Sequence, residues 1–302
     1  MSFSSRTKLE LCRLPAGRFC CARAEIYGAL LFGFTFRHNE IRVVTENPEL
    51  PLRLSRLLGR VFGFDFDSLP NAASAMGKQT LTLTSKDKLT GLFGDFGYGI
   101  SGEVALHLNN AVLENECCTA AFLRGAFLTG GSVTDPEKEY HLELRTPHLR
   151  LSREVLSLLR EADFTPNTAV RAGHHVLYIK ASEKIEDFLT MAGAPRAALG
   201  LMETKVEKDL RNLVNRKVNC ETANLSKTVE AAMRQTEAFE RMRRSALWET
   251  LSPALRETAE LRIRFPQDTL SELCGRFAPP LGRSGLNHRL RKLMELAEDS
   301  GH

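Results

Sequence analysis

Along its first two thirds the chain alternates apolar, helix-forming stretches with runs in which apolar and polar residues take turns. The apolar stretches are CCARAEIYGALLFGF (Cys20–Phe34) and CCTAAFLRGAFLTGG (Cys117–Gly131). After the first lie an extended stretch over Thr35–Thr45, an amphipathic helix over Pro48–Phe62 and an alternating run over Gln79–Thr84. After the second lie a strand over Glu139–Arg145 and a helix over His148–Ala162 with Leu149, Val155, Leu156 and Leu159 on one side. A hairpin follows, Asn167–Arg171 and His175–Lys180 joined across Ala172, Gly173 and His174, and a helix over Glu183–Ala192 closes the unit. The predicted order is α-β-α-β-β-α, twice.

The two apolar stretches are copies of one another. At an offset of 97 residues they agree at seven of fifteen positions, among them Cys20 with Cys117, Cys21 with Cys118, Gly28 with Gly125 and Gly33 with Gly130. A glycine inside a helix costs about 1 kcal/mol relative to alanine, so something must offset that cost. Two helices whose backbones approach too closely for a Cβ would do so. The leading helices of the two halves are therefore expected to pack together. The glycine-rich GLFGDFGYGISG (Gly91–Gly102) reads as the loop between the halves, because it lacks the lysine and following helix of a phosphate-binding loop.

The last fifty residues have a different pattern. A helix is predicted over Pro253–Arg264, with Leu255, Ala259 and Ile263 aligned, ending before Pro266. Thr269 and Glu272 make the capping-box pattern for a second helix reaching about Phe277. Ala278–Arg283 forms a turn, and a third helix starts at Ser284 and reaches about Ala297. At about 100° per residue, Leu286, Leu290, Leu293 and Ala297 make one buried stripe. Ser284, Asn287, His288, Arg291 and Lys292 share the opposite face. Between the two patterned regions, residues 204–251 read as a helical linker in which Asn219, Cys220, Glu221 and Thr222 separate two helices.

Composition then bounds the class. With 302 residues, 43% apolar and 26% charged, the chain is globular rather than disordered or fibrous, and no stretch approaches a membrane span. Seven cysteines, four of them in adjacent pairs, do not make a secreted disulfide framework, so a cytoplasmic protein with reduced thiols is expected. Neighbouring residues on a helix point about 100° apart, so the Cys-Cys pairs are assigned to packing at the helix starts rather than to zinc. The net charge of +4 is small, but residues 201–302 carry +3 of it, and Leu281–Lys292 holds Arg283, Arg289, Arg291 and Lys292 with no acid. Arg and Asn suit base edges in a major groove, and Ser and Lys suit phosphate or base edges. Arg283, Ser284, Asn287, His288, Arg291 and Lys292 are accordingly the candidate DNA-binding residues, with Arg283 as a phosphate clamp in the turn. Arg241, Arg243 and Arg244 either contact phosphate or are simply solvated.

The paired helices resemble the two motif helices of monomeric LAGLIDADG homing endonucleases, and the chain as a whole resembles the WhiA family of bacterial regulators. The stretches that carry this are FLRGAFLTGGSVTDPEKEYHLEL (Phe122–Leu144), ETANLSKTVEAA (Glu221–Ala232) and LSELCGRFAPPLGRSGLNHRLRKL (Leu270–Leu293). The resemblance implies an α+β chain. Residues 1–203 form a duplicated LAGLIDADG-like domain with halves at about 1–95 and 115–203. Residues 204–251 form the linker, and 252–302 form a helix-turn-helix domain similar to the promoter-reading region of sigma factors. It also implies roles in transcription, cell division, chromosome segregation and, in spore formers, sporulation.

In the endonucleases an acid near the end of each paired helix holds divalent metal at the scissile phosphate. Alignment puts Gly33 and Gly130 at those two positions, and the nearest carboxylates, Glu25 and Asp135, are not related by the repeat. The expectation is therefore no catalytic residue, metal or cofactor, and double-stranded DNA as partner to a nucleoid-associated monomer. Two alternatives stand beside it: a metal-dependent DNA endonuclease, and a scaffold whose first domain recruits RNA polymerase or a second transcription regulator. The strand residues Arg37, His38, Arg42, Lys138, His141, Arg145, Arg171, His174 and Lys180 could lie on DNA, but charges on a half-buried strand are more often just solvated.

Overall fold

The computed structural model describes residues 1–69, 77–99 and 106–299. Its contacts divide the chain into two units, Met1–Lys208 and Asp209–His302. The α+β class expected from the sequence is the class observed.

In the first unit, helix α1 (Phe3–Cys12) precedes two related runs. One comprises α2 (Phe19–Leu31), β1 (Thr35–Arg37), β2 (Glu40–Thr45), α3 (Leu50–Phe62), β3 (Gln79–Leu83) and α4 (Lys86–Asp95). The other comprises α5 (Glu116–Gly130), β4 (Gly131–Val133), β5 (Leu142–Thr146), α6 (Leu149–Glu161), β6 (Asn167–Arg171), β7 (His174–Ile179) and α7 (Ser182–Ala192). Two antiparallel sheets result, ordered β1-β2-β3 and β4-β5-β7-β6. Each leading helix is followed by two strands, not the single extended stretch expected. In the first run the chain reverses at His38 and Asn39, pairing Arg37 with Glu40. In the second, Gly131 pairs with Leu144 directly after α5.

The contact between α2 and α5 is the largest between any two elements. Its cause is the glycine pair. A Cβ on Gly28 would collide with the carbonyl oxygen of Phe122 and sit 3.1 Å from the Ala126 nitrogen. A Cβ on Gly125 would collide with the carbonyl oxygen of Glu25 and sit 2.8 Å from the Ala29 nitrogen. Each backbone thus rests on the other, and Ile26, Tyr27, Leu30, Phe122, Leu123 and Phe127 close the core around the crossing. Burying side chains of this size stabilises by roughly 1.5–3 kcal/mol each, which offsets the helix cost of the glycines.

Several expectations are corrected here. Leu149 is 45% exposed; α6 buries Val155 and Leu159 as expected, and with them Leu151, Ser152 and Leu158. Gly91–Asp95 belong to α4 rather than to a loop, with Leu92 and Phe93 buried; within the same stretch, residues 100–102 lie outside the described residues. Asn219–Thr222 do not interrupt a helix: α8 runs unbroken over Pro195–Arg243, and the boundary between the units falls within it. No Gly or Pro occurs between Leu201 and Arg243, and the propensity cost of an Asn or Cys, up to about 0.7 kcal/mol, is too small to break a helix. Helix α1 was not anticipated from the pattern. Ser2 caps it by accepting from the Ser5 amide at 3.1 Å, and the Glu10 carboxylate in turn caps α8 at the amides of Arg196 (2.8 Å) and Ala197 (3.0 Å).

The second unit contains the remainder of α8, then α9 (Leu247–Thr250), α10 (Pro253–Arg264), α11 (Leu270–Gly275) and α12 (Arg283–Asp299). Its core begins upstream of Ser252: Ala238, Phe239, Met242 and Trp248 pack with Leu255, Ala259, Leu273, Leu286, Leu290 and Leu293.

Candidate nucleic-acid interface

Three devices hold α10, α11 and α12 in place. The buried Arg262 donates to the carbonyl of Asp268 at 2.8 Å, fixing the turn between α10 and α11. Thr269 and Glu272 then form the expected capping box, with the Glu272 amide donating to the Thr269 hydroxyl at 3.3 Å and the Thr269 amide to the Glu272 carboxylate at 2.8 Å. After the turn, the Leu286 amide donates to the Gly282 carbonyl at 3.0 Å, which starts α12.

Helix α12 buries Leu286, Leu290 and Leu293 against α10 and α11. All six candidate residues, Arg283, Ser284, Asn287, His288, Arg291 and Lys292, are exposed. Ser284, Asn287, His288, Arg291 and Lys292 share the face opposite the leucines, and Arg283 is the first residue of the helix rather than part of the turn. The fourth cation of the basic segment is turned inward. Arg289 donates to the Ala254 carbonyl at 3.5 Å and sits over the Phe277 ring at 5.6 Å. Arg241, Arg243 and Arg244 are exposed at the end of α8.

Gly33 and Gly130, the two glycines that the sequence aligns with acid positions, are closely surrounded. A Cβ on Gly33 would lie 3.1 Å from the Leu30 carbonyl and from Val43 Cγ2, and one on Gly130 would lie 2.8 Å from the Arg145 carbonyl and from Phe32 Cδ1. Glu25 is fully buried. One of its oxygens takes Arg53 Nε, and the other takes Arg53 Nη2 and Arg124 Nε, both at 2.8 Å. Arg53 also donates to the carbonyls of Cys12 and Leu14, at 3.1 and 2.7 Å. With both oxygens held by guanidinium groups, Glu25 is a core ion triad and not a metal ligand. Asp135 accepts the Glu137 amide at 3.0 Å in a turn.

Several of the candidate strand residues are engaged by other groups of the first unit. His141 (3.2 Å), Arg145 (2.5 Å) and Arg171 (3.8 Å) gather on the Glu143 carboxylate, where Ser132 also donates at 3.0 Å. Burial would raise the Glu143 carboxyl, but hydrogen bonds from His141, Arg145 and Ser132 outweigh it and hold the group below the usual carboxylate range. Lys180 and Arg171 lie over the Tyr178 ring, Arg42 over Phe34, and His38 against Phe93. His174 bonds the Ala172 carbonyl at 3.0 Å, and Arg37 and Lys138 are exposed.

One constellation escaped the sequence reasoning. The sulfur atoms of Cys20, Cys117 and Cys118 all lie within 4.8 Å of one another. Neither Cys-Cys pair alone sets three sulfurs together, whereas the cluster forms across two helices. The signal was the repeat itself, which puts both pairs at equivalent positions of helices expected to touch.

With the geometry in place, the relatives can be set beside it. The WhiA C-terminal HTH domain matches residues 214–297, and the WhiA LAGLIDADG-like domain matches residues 119–211. The chain is 38% identical over 310 residues to the "Probable cell division protein WhiA" of Alkaliphilus metalliredigens, covering 99% of this chain and 98% of that one. It is 39% identical over 305 residues to the protein of the same name from Ruminiclostridium cellulolyticum, covering 99% and 97%. Among solved structures, full-length DUF199/WhiA from Thermatoga maritima is similar with a TM-score of 0.60 at 23% identity, covering 99% of both chains.

Proposed function

Because the chain belongs to the WhiA family, with that family's LAGLIDADG-like and helix-turn-helix domains, we propose that it is a transcription regulator that binds double-stranded DNA sequence-specifically and does not cleave it. The observation that carries this reading is α12, where Ser284, Asn287, His288, Arg291 and Lys292 stand exposed on one face while Leu286, Leu290 and Leu293 anchor the other. In this reading Arg291 and Asn287 contact base edges, because their planar, multi-donor heads match guanine and adenine. Arg283, Ser284 and Lys292 hold phosphate beside the helix N-terminus, and His288 flanks the groove.

The absence of cleavage is supported by Gly130, where the Arg145 carbonyl and Phe32 leave no room for a Cβ, by Gly33, whose surroundings are tight, and by the sequestration of Glu25 between two arginines. The name borne by the relatives points to genes of cell division. Chromosome segregation and, in spore formers, sporulation belong to the same proposed role. The chain acts at the nucleoid as a monomer, and its first unit recruits RNA polymerase or a second regulator. Among the described residues no helix is long and apolar enough to cross a membrane.

Gel shifts and nicking assays on genomic fragments, run with the full chain with and without Mg²⁺, test the proposal. Shifted, uncut fragments of defined sequence are expected under both conditions. Mg²⁺-dependent cleavage that persists through purification would refute the non-enzymatic reading, and shifts without sequence preference would refute the regulatory one.

A further inference from the structure

Helices α2 and α5 begin side by side, and their first turns carry the duplicated cysteine pairs. The sulfurs of Cys20, Cys117 and Cys118 converge within 4.8 Å of one another, and Cys21 directs its thiol to the Cys117 carbonyl at 3.7 Å. All four are free thiols; Cys118 is buried, while Cys20, Cys21 and Cys117 are half-buried. Packing alone explains a small apolar residue at the buried Cys118. It gives no reason for sulfur at the half-buried Cys20 and Cys117, in contact across two helices.

The helix ends favour bound thiolate. Two helix N-termini meet here, and each presents its positive end to the sulfurs. A tetrahedral zinc ion with Zn–S bonds of about 2.3 Å sets its sulfurs roughly 3.8 Å apart. Side-chain rotation of the half-buried Cys20 and Cys117 can close the remaining gap.

We propose that Cys20, Cys117 and Cys118 form a three-thiolate site for zinc, with the fourth tetrahedral position taken by solvent. As the ion binds, each coordinating thiol gives its proton to solvent, and no electron is transferred. The ion ties together the starts of the two duplicated helices. Their opposite ends, at Gly33 and Gly130, are the positions where a nuclease would hold its metal. The site is therefore structural and lies away from any cleavage chemistry.

The test uses the untagged full chain, reduced and stripped of metal, then titrated with zinc chloride or cobalt chloride. Mass spectrometry of the desalted protein should find about one zinc per chain, the metal expected of one thiolate site. Cobalt should give a thiolate charge-transfer band, and the melting temperature should rise with zinc and return with chelator. The Cys20→Ser/Cys117→Ser double variant changes only half-buried positions, so it should keep its circular dichroism yet lose the zinc, the band and the thermal shift. Cys21→Ser and Cys220→Ser should keep all three. Failure of the wild-type chain to hold stoichiometric zinc, equal retention by the folded double variant, or loss in Cys21→Ser or Cys220→Ser would overturn the proposed ligand set.

Discussion

Helices α2 and α5 bury most of their residues beyond the first turn, while α12 buries three leucines and leaves a whole polar face in solvent. The first pair touches backbone to backbone through Gly28 and Gly125; α12 is anchored mainly by its leucine side chains. A helix packed on most sides has little surface left to present chemistry, and the glycines near its end are part of the packing. A helix held by one stripe can carry a binding face at little cost to stability. Within one chain, the duplicated helices are core, and the free polar face lies in the other unit.

The largest effect that would break this contrast is a methyl group at the crossing. Gly28→Ala or Gly125→Ala places a Cβ against a carbonyl oxygen that cannot move without separating the helices, so a loss of more than about 4 kcal/mol is expected, enough to unfold the first unit. Thermal melts would register it, and a near-native melt would show that the helices can slide. Next comes Glu25→Gln, which leaves two buried guanidinium groups sharing a neutral amide. About 3 kcal/mol should be lost in chemical denaturation, and a silent substitution would mean that the triad is not sequestered as described.

Smaller effects probe the second unit. Thr269→Ala removes the cap of α11 and should cost about 1 kcal/mol, lowering both stability and DNA affinity if α11 positions α12. The smallest expected effect is at Arg241, Arg243 and Arg244. If one of them contacts phosphate, its replacement by alanine should weaken binding equally on all sequences and reduce the salt slope by about one unit.

The parts readable from the chain alone were those with a local cause. The capping box of Thr269 and Glu272, the leucine stripe of α12 and the glycine spacing of the paired helices each follow from periodicity or from one hydrogen-bond pattern. One misreading was local, and the others arose where tertiary structure decides. Asn219–Thr222 look like a break, yet they have no glycine or proline to make one. Leu149 fits an apolar stripe, yet the sheet takes Leu151 and Leu158 instead. Arg289 counts as a cation in the sequence but is turned toward Phe277, which leaves Arg283, Arg291 and Lys292 as the outward charges of that segment. The cysteine cluster depends on two helices meeting, information that neither pair holds by itself.

The central claim is that α12 reads base sequence. Fluorescence anisotropy of the full chain on a selected genomic site and on a scrambled duplex, at matched salt, tests it with the Asn287→Ala/Arg291→Ala variant. Each lost bidentate contact should remove about 1–3 kcal/mol of discrimination, so the variant should bind the two duplexes nearly equally while melting like the wild type. If it still preferred the selected site as strongly as the wild-type chain does, the assignment of α12 as the reading helix would be wrong.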